Sequence, residues 1–336
     1  MSGLPFPRMA ARRRFAAALA VAGCAAVLAG PAAAQADYPD RPVTFVTWSS
    51  PGGNIDVAMR IVADKLSQKW GQPVVAENRA GASGIIATDY VAKSRPDGYT
   101  VLFTTPTAQI NTAFVRLRLP FDARRDFEPV SLMITGQIAL VAAPNAPYNT
   151  VTEMIAHARR QPKGLSFGSW GIGSGAHLLG TQLQQQTGAT LLHVPYKGGE
   201  MAEMADVIGG NLDVAFMAQG NAKIHSESGK IKVIGITGNS RHRGLPQVPT
   251  FKEQGFPGFE AAAWIGAYVP ARTPRAVVQK ISAGIAEVMR QPDVAARLTG
   301  LGFDIEGSTP DEFRAFNEAQ FKLWGDMIKA AGIPAE

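Results

Sequence analysis

RPVTFVTWSSPGGNIDVAMRIVADKLSQKW, residues 41–70, is the stretch from which the fold class is read. Its opening, RPVTFVTW, is a short run of β-branched and aromatic residues and reads as a strand. Its second half puts Ile55, Met59, Val62, Leu66 and Trp70 at three- and four-residue spacing, the apolar face of a helix. Between them SSPGGNID, residues 49–56, places a proline and two glycines at the junction, with Asp56 three residues after the second glycine. A strand that enters a helix through glycine is one βα unit, and the question is how often the chain repeats it.

Working outward, PVVAEN leads to GIIATDYVAKS, and YTVLFTT follows. Two further apolar strands, EPVSLMI and QIALVAAP, precede a helix, TEMIAHARRQ, for which Thr150 is the expected N-cap. A second series then runs LSFGSW, a helix over 175–187, LLHVPY, a helix over 200–208, DVAFMA, a short helix and IKVIGIT. Strands alternating with helices predict parallel sheets and an α/β architecture. Two such series predict two lobes: 37–141 as the first, 142–260 as the second, and 261–336 as a helical return that packs on the first.

Residues 1–36 read as an export signal. Arg8, Arg12, Arg13 and Arg14 form a basic start, FAAALAVAGCAAVLAG an apolar middle, and PAAAQA a small-residue cleavage site ending at Ala36. RRRF also fits a twin-arginine signal, and VAGC resembles a lipobox at Cys24; the apolar run continuing past Cys24 favours plain cleavage. Of 33 basic and 27 acidic residues the signal holds four basic and no acidic ones, so the mature chain has 29 against 27, a net of +2. The high isoelectric point is then no argument for nucleic acid. Cys24 is the one cysteine of the chain, and the mature protein needs no disulfide in an oxidising compartment.

Catalytic signatures are missing. The chain has no G-x-S-x-G elbow and no phosphate-binding G-x-x-x-x-G-K-[ST] loop, and GIGSGA at 171–176 misplaces the third glycine of a dinucleotide loop. Histidines 157, 177, 193, 225 and 242 form no H-x-x-x-H pair. No catalytic residue, metal or cofactor is expected, and no nucleophile is paired with a base. What remains is two glycine-rich strand-to-helix turns, SSPGGNID and GSWGIGSGAHL (168–178), one in each lobe. In open α/β sheets ligands bind beyond the carboxyl ends of the strands, where glycine admits close approach and the free N–H groups of a helix start attract anions. The plainer reading is that each turn is only tight, that Asp56 serves the helix dipole, that His177 caps its helix, and that His193, Tyr196 and the tryptophans pack.

The motifs together resemble the Bug family, the periplasmic solute-binding receptors of tripartite tricarboxylate transporters, over nearly all of 37–333. The resemblance is carried by YPDRPVTFV, PGGNID, GQPVVAENRAGASG, KSRPDGYTVLF, DFEPVSLM, GSGAHL, HVPYKGG, GGNLDVAF and QVPTFKEQGFPGFE. It implies two α/β lobes closing on a carboxylated solute like a Venus flytrap, with carboxylate held by backbone amides and ordered water in the two glycine turns. It assigns Gly52, Gly53 and Asp56 to the first turn and Ser169, Gly173, Ser174 and His177 to the second, and Ser49, Ser50 and Trp170 beside them are added as candidate contacts. Thr105 and Thr107 fall in a third βα turn bordering the cleft, and Tyr196 and Met217 at the ends of second-lobe strands. It further implies a monomer of the periplasm that serves inner-membrane transporter components; a sensor for a signalling partner, or an enzyme on the same fold, stays as the rival reading.

The chain departs from the family pattern at four places. Ser49 stands where phenylalanine is usual, Trp170 where a small residue is common, Ile172 where a polar one is common, and Met217 where amino-acid-binding members often carry aspartate. These changes lead to the expectation of a roomier, less polar pocket and of an aromatic acid or a dicarboxylate as ligand. The signal makes a prediction of its own: mass spectrometry of protein from the periplasmic fraction should find an N-terminus at or near Asp37, and an acylated Cys24 at the N-terminus would replace this reading by a lipoprotein.

Overall fold

The βα unit read from 41–70 is present, with β1 (Val43–Thr47) entering α1 (Asn54–Trp70) through the glycine turn. Ile55, Met59, Val62 and Leu66 are buried, and Gly71 ends the helix in a left-handed conformation, φ 65°, which glycine adopts without a side-chain penalty. The computed structural model describes residues 38–196, 200–300, 302–333 and 335. The export signal expected over 1–36 lies outside them. Arg41–Glu336 form one unit, and the fold described is that of this unit.

After α1 come β2 (Val74–Asn78), α2 (Ile85–Ala92) and β3 (Thr100–Thr104), then a π-helical turn (Thr107–Asn111) running into α3 (Thr112–Val115). β4 (Phe127–Gly136) and β5 (Ile138–Ala142) follow, then α4 (Val151–Ala158), β6 (Leu165–Ser169), α5 (Gly175–Thr187), β7 (Leu191–Pro195) and α6 (Glu200–Gly209). β8 (Val214–Ala218), α7 (Gln219–Glu227), β9 (Lys232–Ile236) and β10 (Ala263–Pro270) precede the tail of α8 (Arg275–Met289), α9 (Pro292–Gly300), β11 (Asp304–Ile305) and α10 (Pro310–Ala331). One sheet has the order β11-β4-β10-β3-β1-β2 and the other β7-β6-β8-β5-β9. β1, β2 and β3 are parallel, as are β6, β7 and β8. β10 runs antiparallel to its neighbours in the first sheet, and β5 to its neighbours in the second. The result is the two-lobe α/β fold that the alternation implied.

The boundary between the lobes falls earlier than the sequence suggested. QIALVAAP was placed at the end of the first lobe, but β5 pairs with β8 and β9 in the second sheet. Only Gln137 separates β4 from β5, so the chain passes from one sheet to the other without a turn that composition would reveal. The chain crosses back between Ile236 and Ala263, and the two crossings touch where Thr237 N–H donates to Ile138 O at 2.9 Å. Gln219 braces this point: its Oε1 accepts from Gln137 N–H at 2.8 Å.

The tail also does more than cover the first lobe. α10 packs on β4 and on α5 of the second lobe, with a capping box at Thr309 and Glu312 starting it. Trp324, 1% exposed, sits where these elements meet; a Cβ on Gly175 would come within 2.9 Å of its ring and 3.6 Å of Ile138. One apolar cluster thus runs through both lobes, from Val46 and Leu102 through Trp264, Phe313 and Trp324 to Phe167 and Phe216. Among the described residues no helix is long and apolar enough to cross a membrane. Trp324→Ala should cost about 3–5 kcal/mol in urea unfolding, the usual loss for a truncated buried tryptophan; a loss under ~1 kcal/mol would show that the lobes are joined elsewhere.

Candidate functional site

The first glycine turn is a closed hydrogen-bonded unit. Gly52 takes a left-handed conformation, φ 82°, which turns its N–H onto Asp56 Oδ2 at 2.8 Å. Asp56 Oδ1 accepts from Arg60 Nε at 2.9 Å and from Asn78 Nδ2 at 2.8 Å, and Asn78 Nδ2 also reaches Ser49 O at 2.9 Å. Burial alone would raise the Asp56 carboxyl, but the hydrogen bonds from Arg60, Gly52 and Asn78 outweigh it and hold the group below its ordinary value. Both oxygens of Asp56 are therefore engaged within the turn, and it positions the turn from inside. Gly53 N–H is likewise used, donating to Ser50 O at 3.1 Å. What the turn presents is the start of α1, which no side chain caps, with the hydroxyls of Ser49 and Ser50 at its exposed rim.

The second turn is organised by histidine. Ser174 caps α5, its Oγ accepting from His177 N–H at 3.3 Å. His177 Nδ1 accepts the N–H of Gly173 at 3.1 Å, and its ring stacks on His193 with centroids 3.8 Å apart. Phe167 covers the other side of His193 at 5.0 Å, and Ser169 Oγ meets His193 Nε2 at 2.6 Å. Burial lowers both imidazoles, His193 to about 4 with the neighbouring His177 adding to the effect, so both rings are neutral at pH 7. The Ser169–His193 contact is a hydroxyl–imidazole pair that the sequence did not reveal. Ser169 is fully buried, and among the described residues no carboxylate bonds to the His193 ring, so a triad is not formed.

The two turns are brought into one region by the segment after β3. Trp48, at the start of the first turn, packs beside Gly84, where a Cβ would come within 3.1 Å of its ring. Ala108 of the π-helical turn faces the same glycine, and Asn111 at the end of that turn donates from Nδ2 to Gly173 O at 2.8 Å. Thr105 and Thr107 are half-buried at the start of this segment. The side-chain polar atoms Trp48 Nε1, Thr104 Oγ1, Thr105 Oγ1 and Asn111 Oδ1 are buried without a partner among the described residues. Buried polar atoms without a protein partner are completed in native proteins by ordered water or a bound solute. A groove of about 810 Å³ on the first lobe, lined by Arg41, Arg79, Ile86, Tyr90 and Tyr99 among others, shares no residue with either turn.

Three expected contacts are placed differently. Met217 is fully buried among Ala139, Val141, Met204 and Ile236, because its position on β8 faces the helices of the second lobe. Trp170 is half-buried, with its indole N–H turned inward onto Glu203 Oε1 at 3.0 Å. Tyr196 donates from its hydroxyl to Asp206 at 2.6 Å. Glu203 is itself buried, and burial together with the neighbouring Glu200 raises its carboxyl well above the ordinary value. Asn111, His193 and Glu203 were missed as site residues; Asn111 stands among other polar residues, Thr107, Gln109 and Thr112, and nothing in the sequence singles it out. Among the described residues no three metal-ligating side chains come together.

The histidine stack has a measurable consequence. Folded His193 titrates near 4, against an ordinary value of 6.5. Below 6.5 the unfolded chain takes up a proton that the folded chain refuses, so stability falls as pH drops through that window and levels off near 4. In urea unfolding, the stability difference between His193→Gln and wild type should therefore change by up to ~1.4 kcal/mol per pH unit between 6.5 and 4, and stay flat above. A difference independent of pH would mean that the ring is protonated in place.

Comparison with known proteins places the chain in a family. Residues 58–333 match the model of the tripartite tricarboxylate transporter family receptor. Protein BugT of Bordetella pertussis is 32% identical over 317 residues, 94% of this chain and 97% of BugT. Among solved structures, Rpa4515 of R. palustris with adipate superposes with a TM-score of 0.83 at 31% identity, covering 89% of this chain and all of that one. MatC from Rhodopseudomonas palustris with bound malate gives 0.79 at 28% identity, covering 87% and 100%. With a family model over residues 58–333 and a relative aligned over 94% of the chain, the chain belongs to the Bug receptors of the tripartite tricarboxylate transporter family.

Proposed function

We propose that the chain is a periplasmic receptor that captures an aliphatic dicarboxylate between its two glycine turns, closes on it and delivers it to an inner-membrane transporter. The observation that carries the reading is the meeting of the two glycine turns through Trp48, Ala108 and Asn111, in a chain whose relatives of similar length were solved with adipate and malate. Backbone N–H groups at the start of α1 supply donors for one carboxylate. The segment from Thr105 to Asn111 and the second turn line the region for the rest of the solute. Hinge motion needs a few residues that absorb backbone rotation, and the adjoining crossings at Gln137 and Thr237, where the chain passes between the sheets, can supply them. One chain contributes every one of these parts, so the site is complete in a monomer.

Placement of the side chains shifts the ligand class. The expectation of an apolar, aromatic solute rested on Trp170 and Met217. Met217 is enclosed in the second-lobe core and the indole N–H of Trp170 is committed to Glu203, which favours a dicarboxylate over an aromatic acid. An amino acid is disfavoured because Asp56, the carboxylate of the first turn, is already saturated by Arg60, Asn78 and Gly52. A buried ammonium without a partner is costly. Competition calorimetry with adipate, malate, glutamate and terephthalate in one buffer should rank an aliphatic diacid first, with glutamate and terephthalate at least about tenfold weaker. Tightest binding of glutamate would refute the argument from Asp56, and tightest binding of terephthalate would restore the aromatic reading.

A further inference from the structure

Asn111 lies at the end of the π-helical turn, 1% exposed, and Gln109 fixes that turn to the first lobe. Gln109 Nε2 donates to Ala123 O at 3.1 Å, and Thr112 Oγ1 to Ala108 O at 2.8 Å. From this anchored position the Asn111 carboxamide reaches across 62 positions of sequence to Gly173 O, in the other lobe. Asn111 Oδ1 has no partner among the described residues, so nothing local selects the orientation of the amide; the carbonyl across the cleft selects it. Gly173 is held at the same time from its own lobe, where His177 Nδ1 accepts its N–H. Its left-handed conformation, φ 76°, and the methyl groups of Val115, 3.1 Å and 3.2 Å from where a Cβ would stand, leave no room for another residue.

We infer that Asn111 is the latch of the receptor: its carboxamide holds the second glycine turn against the first lobe and sets how long the cleft stays shut on its solute. The inference rests on the two-lobe receptor reading and adds the residue that governs closure. Asn111 acts as a positioning residue, working through Gly173. A backbone carbonyl is a fixed acceptor, so only a donor at position 111 closes the contact. A carboxylate of the same shape repels it, and a protonated carboxyl donates to it once more.

The test uses Asn111→Asp and, as a second variant without added charge, Asn111→Ala. Small-angle scattering of the ligand-free protein reads the lobes directly: both variants should have a larger radius of gyration than wild type. Stopped-flow tryptophan fluorescence with adipate should show dissociation about tenfold faster in Asn111→Asp, with association within about twofold of wild type, the pattern of a lost closing contact. Lowering the pH should return Asn111→Asp toward wild type measured at the same pH, so that His177 and His193 titrate alike in both. Recovery on protonation separates a latch from a packing role, which acid would not restore. Unchanged scattering in both variants would overturn the inference. Failure of adipate to bind wild type would count against the ligand class proposed above, and the scattering would still decide on the latch.

Discussion

The packing of Trp324 against Gly175 is the contact on which the arrangement of the two turns depends. α10 carries the indole, α5 begins at the glycine, and β5 leaves the crossing beside them at Ile138. The indole N–H is satisfied by Gln320 Oε1 at 2.9 Å, which also accepts from Trp264 at 3.2 Å, so two buried tryptophans share one acceptor inside an apolar core. Any side chain at 175 would collide with the ring and push α5, and with it the second glycine turn, off the first lobe. Glycine at 175 is therefore fixed by packing, whereas Gly52 and Gly173 are fixed by backbone conformation.

Within this frame the polar groups divide by burial. Exposed ion pairs such as Arg275–Asp311 and Lys322–Asp326 are screened by water and leave the fold indifferent to them. Asp56, 3% exposed in its side chain, is different, because removing Arg60 or Asn78 would leave a desolvated charge without its partners. α6 shows the opposite solution. Its inward acids Glu200 and Glu203 are raised by burial; Glu200 accepts from Ala218 N–H and Asn221, and Glu203 accepts from Trp170 through Oε1, with Oε2 left without a partner among the described residues. One helix thereby ties the second turn to the β8–α7 junction.

The sequence disclosed whatever is periodic or local. Alternating βα segments gave the two sheets, Thr150 its cap with Glu153 N–H as donor, and the glycines both turns. It concealed what depends on the partner of an element. β5 reads like a continuation of β4 because only Gln137 parts them, and which sheet a strand joins is a matter of long-range pairing. Met217 and Trp170 looked like pocket residues since a position at a strand end can face either way, and the facing element decides. Asn111 carries no motif, and His193 opens HVPYKGG without that motif revealing its contacts; each acquires its place from a group more than fifteen residues away, Gly173 for one and Ser169 and His177 for the other.

Closing the cleft involves two scales of energy. The apolar cluster that runs through both lobes is worth many kcal/mol and is present whatever the cleft holds. The contact between Asn111 and Gly173 contributes about 1 kcal/mol net, like any hydrogen bond exchanged with water. A difference of that size changes the ratio of shut to open lobes by about a factor of five to ten. The large term keeps the lobes from separating, while the small one can be reversed by thermal motion once the solute has to leave. A receptor that must release what it has caught needs this ordering, and its latch belongs among single hydrogen bonds between the lobes, apart from the core at Trp324.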